Sequence, residues 1–462
     1  MSFSEEFWTL NPATGAKLAS YLLMEPLTCL RYAKNAADAF SKWREVSLED
    51  RGQLLSSLAD TLRRDREKLA RMMTHEMGKP IKQSQAEVEK CAWTAELVAR
   101  EGAKWLEEEI VETDARRSQV TFEPLGVILG VEPFNFPAWQ ALRFAIPTVM
   151  AGDTVLLRPS NVIPGSSLLL EEEFKEAGFP DGVFKTLLTA HGVVEKVIAS
   201  PLVKGVSFTG SNSAGTAIAA IAGKHLKKSV MELGGSDPFI VLEDADLEAA
   251  ARAGAESRFI NSGQSCINAK RFIVMDSVYE EFRELFVEEV SSYIVGDPLD
   301  PMTDVGPLVR EAQLEEVESQ VRDAVRKGAK VTYGGRRMAG SGYFFQPTVL
   351  ENFSIKMKVL YEEVFGPVAP LVRVKDDSEA AEWANSTDYG LGGAIWTKDD
   401  ERASRLAWKL DAGVVFVNGL VKSDPRMPFG GVKASGYGRE MSKFGIREFA
   451  NVKGINFYDV TA

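Results

Sequence analysis

The stretch GVILGVEPFNFPAWQALRFAIPTVMAGDTVLLRPSN, residues 126–161, decides the fold. Val127-Ile128-Leu129-Gly130-Val131 is a short apolar run, the pattern of a fully buried strand. Pro137 to Met150 reads as an apolar helix and Thr154 to Leu157 as the next strand. The alternation continues with a helix over Ser166–Ala177 closed by Gly178 and Pro180, a strand over Val203–Phe208 and a small-residue helix over Ser213–Ala222. Strands alternating with helices imply right-handed crossovers and a parallel, doubly wound α/β sheet.

Working outward, residues 28–77 read as helices, with Leu54, Leu55, Leu58 and Leu62, then Leu69, Met72 and Met73, at helical spacing. Gly78-Lys79-Pro80 supplies a stop. An amphipathic stretch runs from Gln83 to about Trp105, and Ser118–Phe122 alternates like a strand before Pro124. Beyond Gly234-Gly235 a second α/β pattern starts. Its strands fall at Phe239–Leu242, Arg271–Met275, Val331–Tyr333, Val368–Val374 and Val414–Val417. Its helices run from Asp244 or Asp246 to Phe259, and over Val278–Tyr293 and Leu314–Lys327. The tail from Gly454 is too short for its own core and pairs elsewhere.

The chain of 462 residues corresponds to two to three domains at ~150 residues each. Lys and Arg number 54 against 66 Asp and Glu, a net charge of −12 that argues against a nucleic-acid or anionic-membrane partner. The most apolar stretch, Leu125–Leu157, is broken by Glu132, Pro133, Pro137, Arg143, Pro147 and Asp153, so it is not a membrane span. Met1-Ser-Phe-Ser-Glu-Glu lacks the basic and apolar regions of a secretory signal, which makes a cytoplasmic location the expectation. Three cysteines, Cys29, Cys91 and Cys266, form no disulfide framework. The three scattered histidines offer no metal-ligand spacing, so no metal is expected.

Five features carry chemistry. Cys266, in Asn261-Ser-Gly-Gln-Ser-Cys266, sits on a loop between helix and strand; it is either a buried small hydrophobe or a nucleophile. Glu232, in Met231-Glu-Leu-Gly-Gly235, is either a solvent-facing strand end or a partly desolvated general base. Asn135, between Phe134 and Phe136, is either a turn former or a rigid amide donor to an oxyanion. Phe208-Thr-Gly-Ser-Asn-Ser-Ala-Gly215 joins a strand to a helix N-terminus that can take phosphate. Arg143 lies inside an apolar helix, where an unpaired charge costs several kcal/mol, so an internal or a substrate carboxylate must meet it.

A thiol, an amide donor, a carboxylate base and a dinucleotide site fit oxidation of an aldehyde through a covalent thioester. Along its whole length the chain resembles the NAD(P)-dependent aldehyde dehydrogenase superfamily. The resemblance rests on Phe134-Asn-Phe-Pro137, Phe208-Thr-Gly-Ser211, Glu232-Leu-Gly-Gly235, Gly263-Gln-Ser-Cys266, Glu362-Glu-Val-Phe-Gly-Pro367, Pro428-Phe-Gly-Gly-Val-Lys433 and Ser435-Gly-Tyr-Gly-Arg-Glu440. Within it, Glu232–Phe239, Ala269-Lys-Arg-Phe272 and Asn418–Arg426 resemble the short bacterial and cyanobacterial succinate-semialdehyde dehydrogenases.

The resemblance implies a Rossmann-type cofactor domain (1–113 and 126–233), an α/β catalytic domain (234–422) and a small β bridging segment (114–125 and 423–462). That segment commonly extends a neighbour's sheet, which implies a homodimer or homotetramer. Cys266 would attack the aldehyde, the Asn135 amide and the Cys266 N–H would hold the oxyanion, and Glu232 would activate water. Thr209, Gly210 and Ser211 would lie along the pyrophosphate, Glu363 would bind the nicotinamide ribose, and Phe365, Phe134 and Leu233 would complete the cofactor site. Arg158, Ser160 and Asn161 would face the adenosine ribose. Asn161 stands where many NAD-specific members place an acid, which favours NADP slightly over NAD. Arg143 and Ser423 match substrate-carboxylate residues, while Ile260 replaces the second arginine of longer members and leaves one cation for the carboxylate. Asn268 replaces the cysteine of a disulfide switch. Succinate semialdehyde is the expected substrate, with glyceraldehyde, lactaldehyde or glutarate semialdehyde as alternatives. A CoA-acylating enzyme or a non-catalytic binding protein would be the other classes, and the presence of Glu232, Cys266 and Asn135 speaks against both.

Overall fold

The computed structural model describes residues 5–354 and 356–459. The N-terminal Met1–Ser4 of the sequence reading, Ile355 and Val460–Ala462 lie outside the described residues.

Val127–Glu132 is buried along its whole length. Its aliphatic side chains fill both faces because parallel strands flank it, Thr154–Pro159 on one side and Val203–Thr209 on the other. Phe184–Thr186 and Lys228–Glu232 extend the sheet in parallel. The sixth strand, Gly436–Tyr437, is antiparallel and pairs Gly436 with Glu232. The chain thus returns to its first sheet near its end and sets a late loop beside the strand that carries Glu232.

The second sheet has seven strands. Their order is Lys330–Tyr333, Thr348–Glu351, Val368–Val374, Ala269–Met275, Asp237–Val241, Gly392–Trp396 and Val414–Val417. Only the edge strand Lys330–Tyr333 is antiparallel to its neighbour. Phe239, Phe272, Phe282 and Phe286 form the aromatic centre of one face. A three-stranded antiparallel sheet joins Glu109–Val111, Arg117–Pro124 and Ala450–Phe457.

The expected helices and strands recur within a few residues, with one shift of consequence. The tail strand starts at Ala450 rather than Gly454, and it pairs with Arg117–Pro124 of its own chain. Several short elements carry too few residues to show a period. These include the hairpin Glu6–Leu10 and Lys17–Leu22, the strand Phe184–Thr186 and the helix Asp377–Asn385.

Helix Pro137–Ala151 is buried at every position. It lies between the first sheet and helices Leu48–Arg64 and Ile81–Trp105. Gly130 sets how closely it approaches the sheet, since a Cβ there would fall 2.2 Å from the Phe144 ring. Gly130→Ala is therefore expected to destabilise the fold by ~1–3 kcal/mol through overpacking. Urea unfolding followed by circular dichroism measures this, and an unchanged midpoint would mean that Phe144 steps aside at no cost.

Candidate active site

Three consecutive residues shortly before Cys266 occupy the left-handed region, Asn261 at φ 53°, Ser262 at 56° and Gly263 at 77°. Gly263 is obligatory: a Cβ there would lie 2.4 Å from the Gly366 backbone. Left-handed backbone at the two non-glycine residues costs ~1–3 kcal/mol each and persists only where its surroundings over-determine it. Here they do. The Asn261 amide donates to the carbonyls of Asn135 at 2.6 Å and Gln264 at 3.0 Å. Its backbone N–H donates to Gln83 Oε1 at 2.8 Å. Ser262 Oγ donates to the Gly306 carbonyl, and Gln264 Oε1 accepts from the Val309 N–H.

This loop delivers Cys266 to a partly accessible position, whereas Cys29 and Cys91 are buried. Burial pushes the Cys266 thiol up to about 12, opposed by Arg143 and Lys270 and reinforced by Glu363 and Glu232. The thiol therefore lies well above the ordinary thiol pKa of ~8.5. The thiol is neutral until something stabilises its anion.

Asn135 sits on the turn between Val127–Glu132 and Pro137–Ala151. Its Nδ2 donates to the Gln264 carbonyl at 3.2 Å, two residues before the thiol. Glu232 ends its strand almost fully buried, and neither carboxylate oxygen has a hydrogen-bond partner among the described residues. Burial and the nearby Glu440 push it up to about 8, against Arg143 and Arg439. A desolvated carboxyl of this kind has the poise of a general base near neutral pH.

Arg143 finds its carboxylate inside the protein. Its Nε pairs with Glu440, and its Nη2 donates to Thr209 Oγ1 at 3.3 Å. Burial and Glu440 also hold the Glu132 carboxyl well above the usual range. The choice left open by the sequence, an internal or a substrate partner, thus resolves at rest to Glu440, although Arg143 still lines the cavity at Cys266.

Cys266 stands between two cavities. One, of about 530 Å³, is walled by Phe136, Trp139 and Phe429 and includes Arg143, Ser423 and Lys90. The other, of about 500 Å³, gathers Phe134, Asn135, Thr209, Gly210, Ser211, Leu233, Glu363 and Phe365. Ser211 caps helix Asn212–Lys224, and Glu363 accepts from the Gly235 N–H and pairs with Lys270. Arg158, Ser160 and Asn161 lie apart, at the end of strand Thr154–Pro159. Arg158 is buried and donates to the Thr189 carbonyl at 3.1 Å and Asn161 Oδ1 at 3.2 Å, while its Nε has no partner among the described residues. Ser160 Oγ accepts from the Val162 N–H.

Two lysines escaped the sequence reading. Lys270 Nζ joins Glu363 to the carbonyls of Gly235 and Cys266; its signal was a lysine within the apolar run of Ala269–Met275. Lys90 lines the same cavity as Arg143 and Ser423 and adds a cation to it. On an amphipathic helix, Lys90 reads as one more solvated charge.

A profile described as the aldehyde dehydrogenase family matches residues 1–455. The chain is 42% identical to a protein named succinate-semialdehyde dehydrogenase [NADP(+)] from Deinococcus radiodurans, over 97% of this chain and 94% of that one. It is 43% identical to succinate-semialdehyde dehydrogenase [NADP(+)] 1 of Mycobacterium bovis, over 97% and 98% respectively. The crystal structure of succinic semialdehyde dehydrogenase from Streptococcus pyogenes in complex with NADP+ superimposes with a TM-score of 0.96 at 37% identity, covering 98% of this chain and all of that one. Matched along nearly its entire length, and with a cysteine shared by two cavities, an asparagine amide in one of them and a buried glutamate whose charge acts on the thiol, the chain belongs to the aldehyde dehydrogenase family.

Proposed function

We propose that this enzyme oxidises succinate semialdehyde to succinate with NADP, through covalent catalysis at Cys266. The carrying observation is the position of the thiol at the junction of a cation-bearing cavity and the cavity that gathers Thr209, Ser211 and Glu363. The relatives named for this substrate and cofactor, similar over almost the whole chain, support the reading.

The dinucleotide fits the residues present. Arg158 is a buried guanidinium that burial lowers to about 10 and that pairs with no carboxylate among the described residues. It would meet a 2′-phosphate, with Ser160 and Asn161 beside it and no acid to repel it. Thr209, Gly210 and Ser211 would hold the pyrophosphate, Glu363 the nicotinamide ribose, and Phe134, Leu233 and Phe365 would supply apolar walls. When bound, NADP supplies the hydride acceptor.

Cys266 gives its proton to water in the cavity as its sulfur bonds to the aldehyde carbon. The oxygen that becomes negative receives the Asn135 amide and the Cys266 N–H; such a donor is worth ~3 kcal/mol in the transition state. Loss of hydride from that carbon leaves a thioester. Glu232 takes a proton from water as the water oxygen bonds to the acyl carbon. The carbon–sulfur bond then breaks, releasing the acid and returning the thiol. The reading includes a cytoplasmic homodimer or homotetramer, supported by the edge strand Ala450–Phe457 with Val452 and Phe457 exposed.

Cys266→Ala is expected to abolish turnover, whereas Cys29→Ala and Cys91→Ala retain most of it; substantial turnover by the Cys266 variant would remove it from the mechanism. Glu232→Gln should reduce one equivalent of cofactor and stall, with the acyl group found on Cys266 by mass spectrometry. Hydrolysis needs Glu232 ionised, so the deacylation rate should rise with pH through about 8 and level off above it. Glu232→Gln should lose that pH dependence, and a limb that survives the substitution would assign it to another group. Arg158→Ala should lower kcat/KM for NADP about tenfold more than for NAD, a loss of ~1.4 kcal/mol of discrimination. An equal loss with both cofactors would place Arg158 away from the 2′-phosphate.

A further inference from the structure

The cavity on the substrate side of Cys266 is lined by four cationic side chains, Lys82, Lys90, Arg143 and Lys422, and they are not equivalent. Lys82 pairs with Asp304 at 2.6 Å. Lys422 is exposed. The charge of Arg143 is answered by Glu440, with Glu132 and Glu232 close by.

Lys90 differs from all three. It lies on helix Ile81–Trp105, and its ammonium stands 3.8 Å over the Trp139 ring and 2.7 Å from Ser423 Oγ. No carboxylate pairs with it among the described residues. The nearest candidates are engaged: Glu87 holds Lys79 and the N–H groups of Ala138 and Trp139, and Asp424 holds Arg426. Burial lowers Lys90 to about 8, which Cys91, Glu87 and Asp424 only partly offset and which Arg143 deepens.

An ammonium held over an aromatic face with one hydroxyl acceptor and no counter-ion retains two unused donors. Ser423 accepts the third, which leaves the serine proton free to donate. A carboxylate can therefore receive hydrogen bonds from both groups at once, and its charge replaces the solvation that Lys90 lacks. We infer that Lys90, presented together with Ser423, is the cation that binds the carboxylate of the substrate, while Arg143 serves to hold the buried carboxylates behind the thiol.

This inference rests on the proposed semialdehyde activity, so its test has one arm with turnover and one without. With Lys90→Met, the ratio of kcat/KM for succinate semialdehyde to that for butanal should fall at least about tenfold, chiefly through KM for the acid, and Lys90→Arg should recover most of it. Independently, succinate should slow alkylation of Cys266 by iodoacetamide in the wild type and in Lys90→Arg but not in Lys90→Met. Thermal melting identifies a misfolded variant, for which Lys90→Gln takes its place. If the wild type shows no preference for succinate semialdehyde over butanal, the proposed substrate is wrong, and succinate protection that depends on Lys90 would still uphold the carboxylate site. If the Lys90 variants keep both the preference and the protection, Lys90 is not the carboxylate ligand.

Discussion

One guanidinium holds together the interior behind Cys266. Arg143 projects from a fully buried helix into a space shared with Glu440, Glu132 and Glu232. Three carboxylates around one cation in so poor a solvent hold one another above the usual carboxylate range. That constraint explains the raised Glu232, because burial and the charge of Glu440 act together on it. It also explains the return of the chain to its first sheet. The loop that forms the antiparallel strand Gly436–Tyr437 is the one that brings Glu440 to Arg143. Without the cation, buried carboxylates would stand uncompensated, the costly half of a broken ion pair.

The thiol is governed by the same low dielectric. Held neutral at rest, it depends on whatever cations approach its anion, and the two that act on it, Arg143 and Lys270, are themselves anchored by Glu440 and Glu363. Each anchor sits on a late segment of the chain, one on the loop after the second sheet and one beside Phe365. The backbone before Cys266 is over-determined in turn: Asn261 is bonded to Asn135 and Gln83, Ser262 to Gly306, and the adjacent Gln264 to Val309. A thiol on a loop held by so many bonds suits the nucleophilic role proposed for it.

Much of this was legible in the residues, and the parts that were not have a common cause. Val127–Val131 announced a doubly buried strand because such a strand is apolar at every position. Cys266, Glu232 and Asn135 stood out because each breaks the local pattern. A charge in an apolar helix announced that Arg143 needed a partner, but nothing nearby in sequence could say that the partner was Glu440, since the two meet only through the sheet's final strand. The unusual thiol was illegible for the same reason: its elevation comes from surroundings assembled from distant segments. Lys90 was invisible because an isolated lysine on an amphipathic helix is ordinarily solvated, and only packing shows that its ammonium lies over Trp139 and against Ser423.

That distinction bears on how an active site of this architecture can separate its charges. In the proposed reaction Glu232 must be able to ionise near neutral pH, whereas a charged substrate needs a cation with spare capacity. A single arginine facing both would lose its grip on Glu440 and Glu232 whenever an acid entered, and the base would then change its proton affinity with substrate binding. Placing Arg143 against Glu440 and Lys90 against Ser423, on two different helices, keeps the two tasks apart. The helices pack against one another, so the separation between the cation that tunes the base and the cation that remains unpaired is fixed by core packing rather than by a loop.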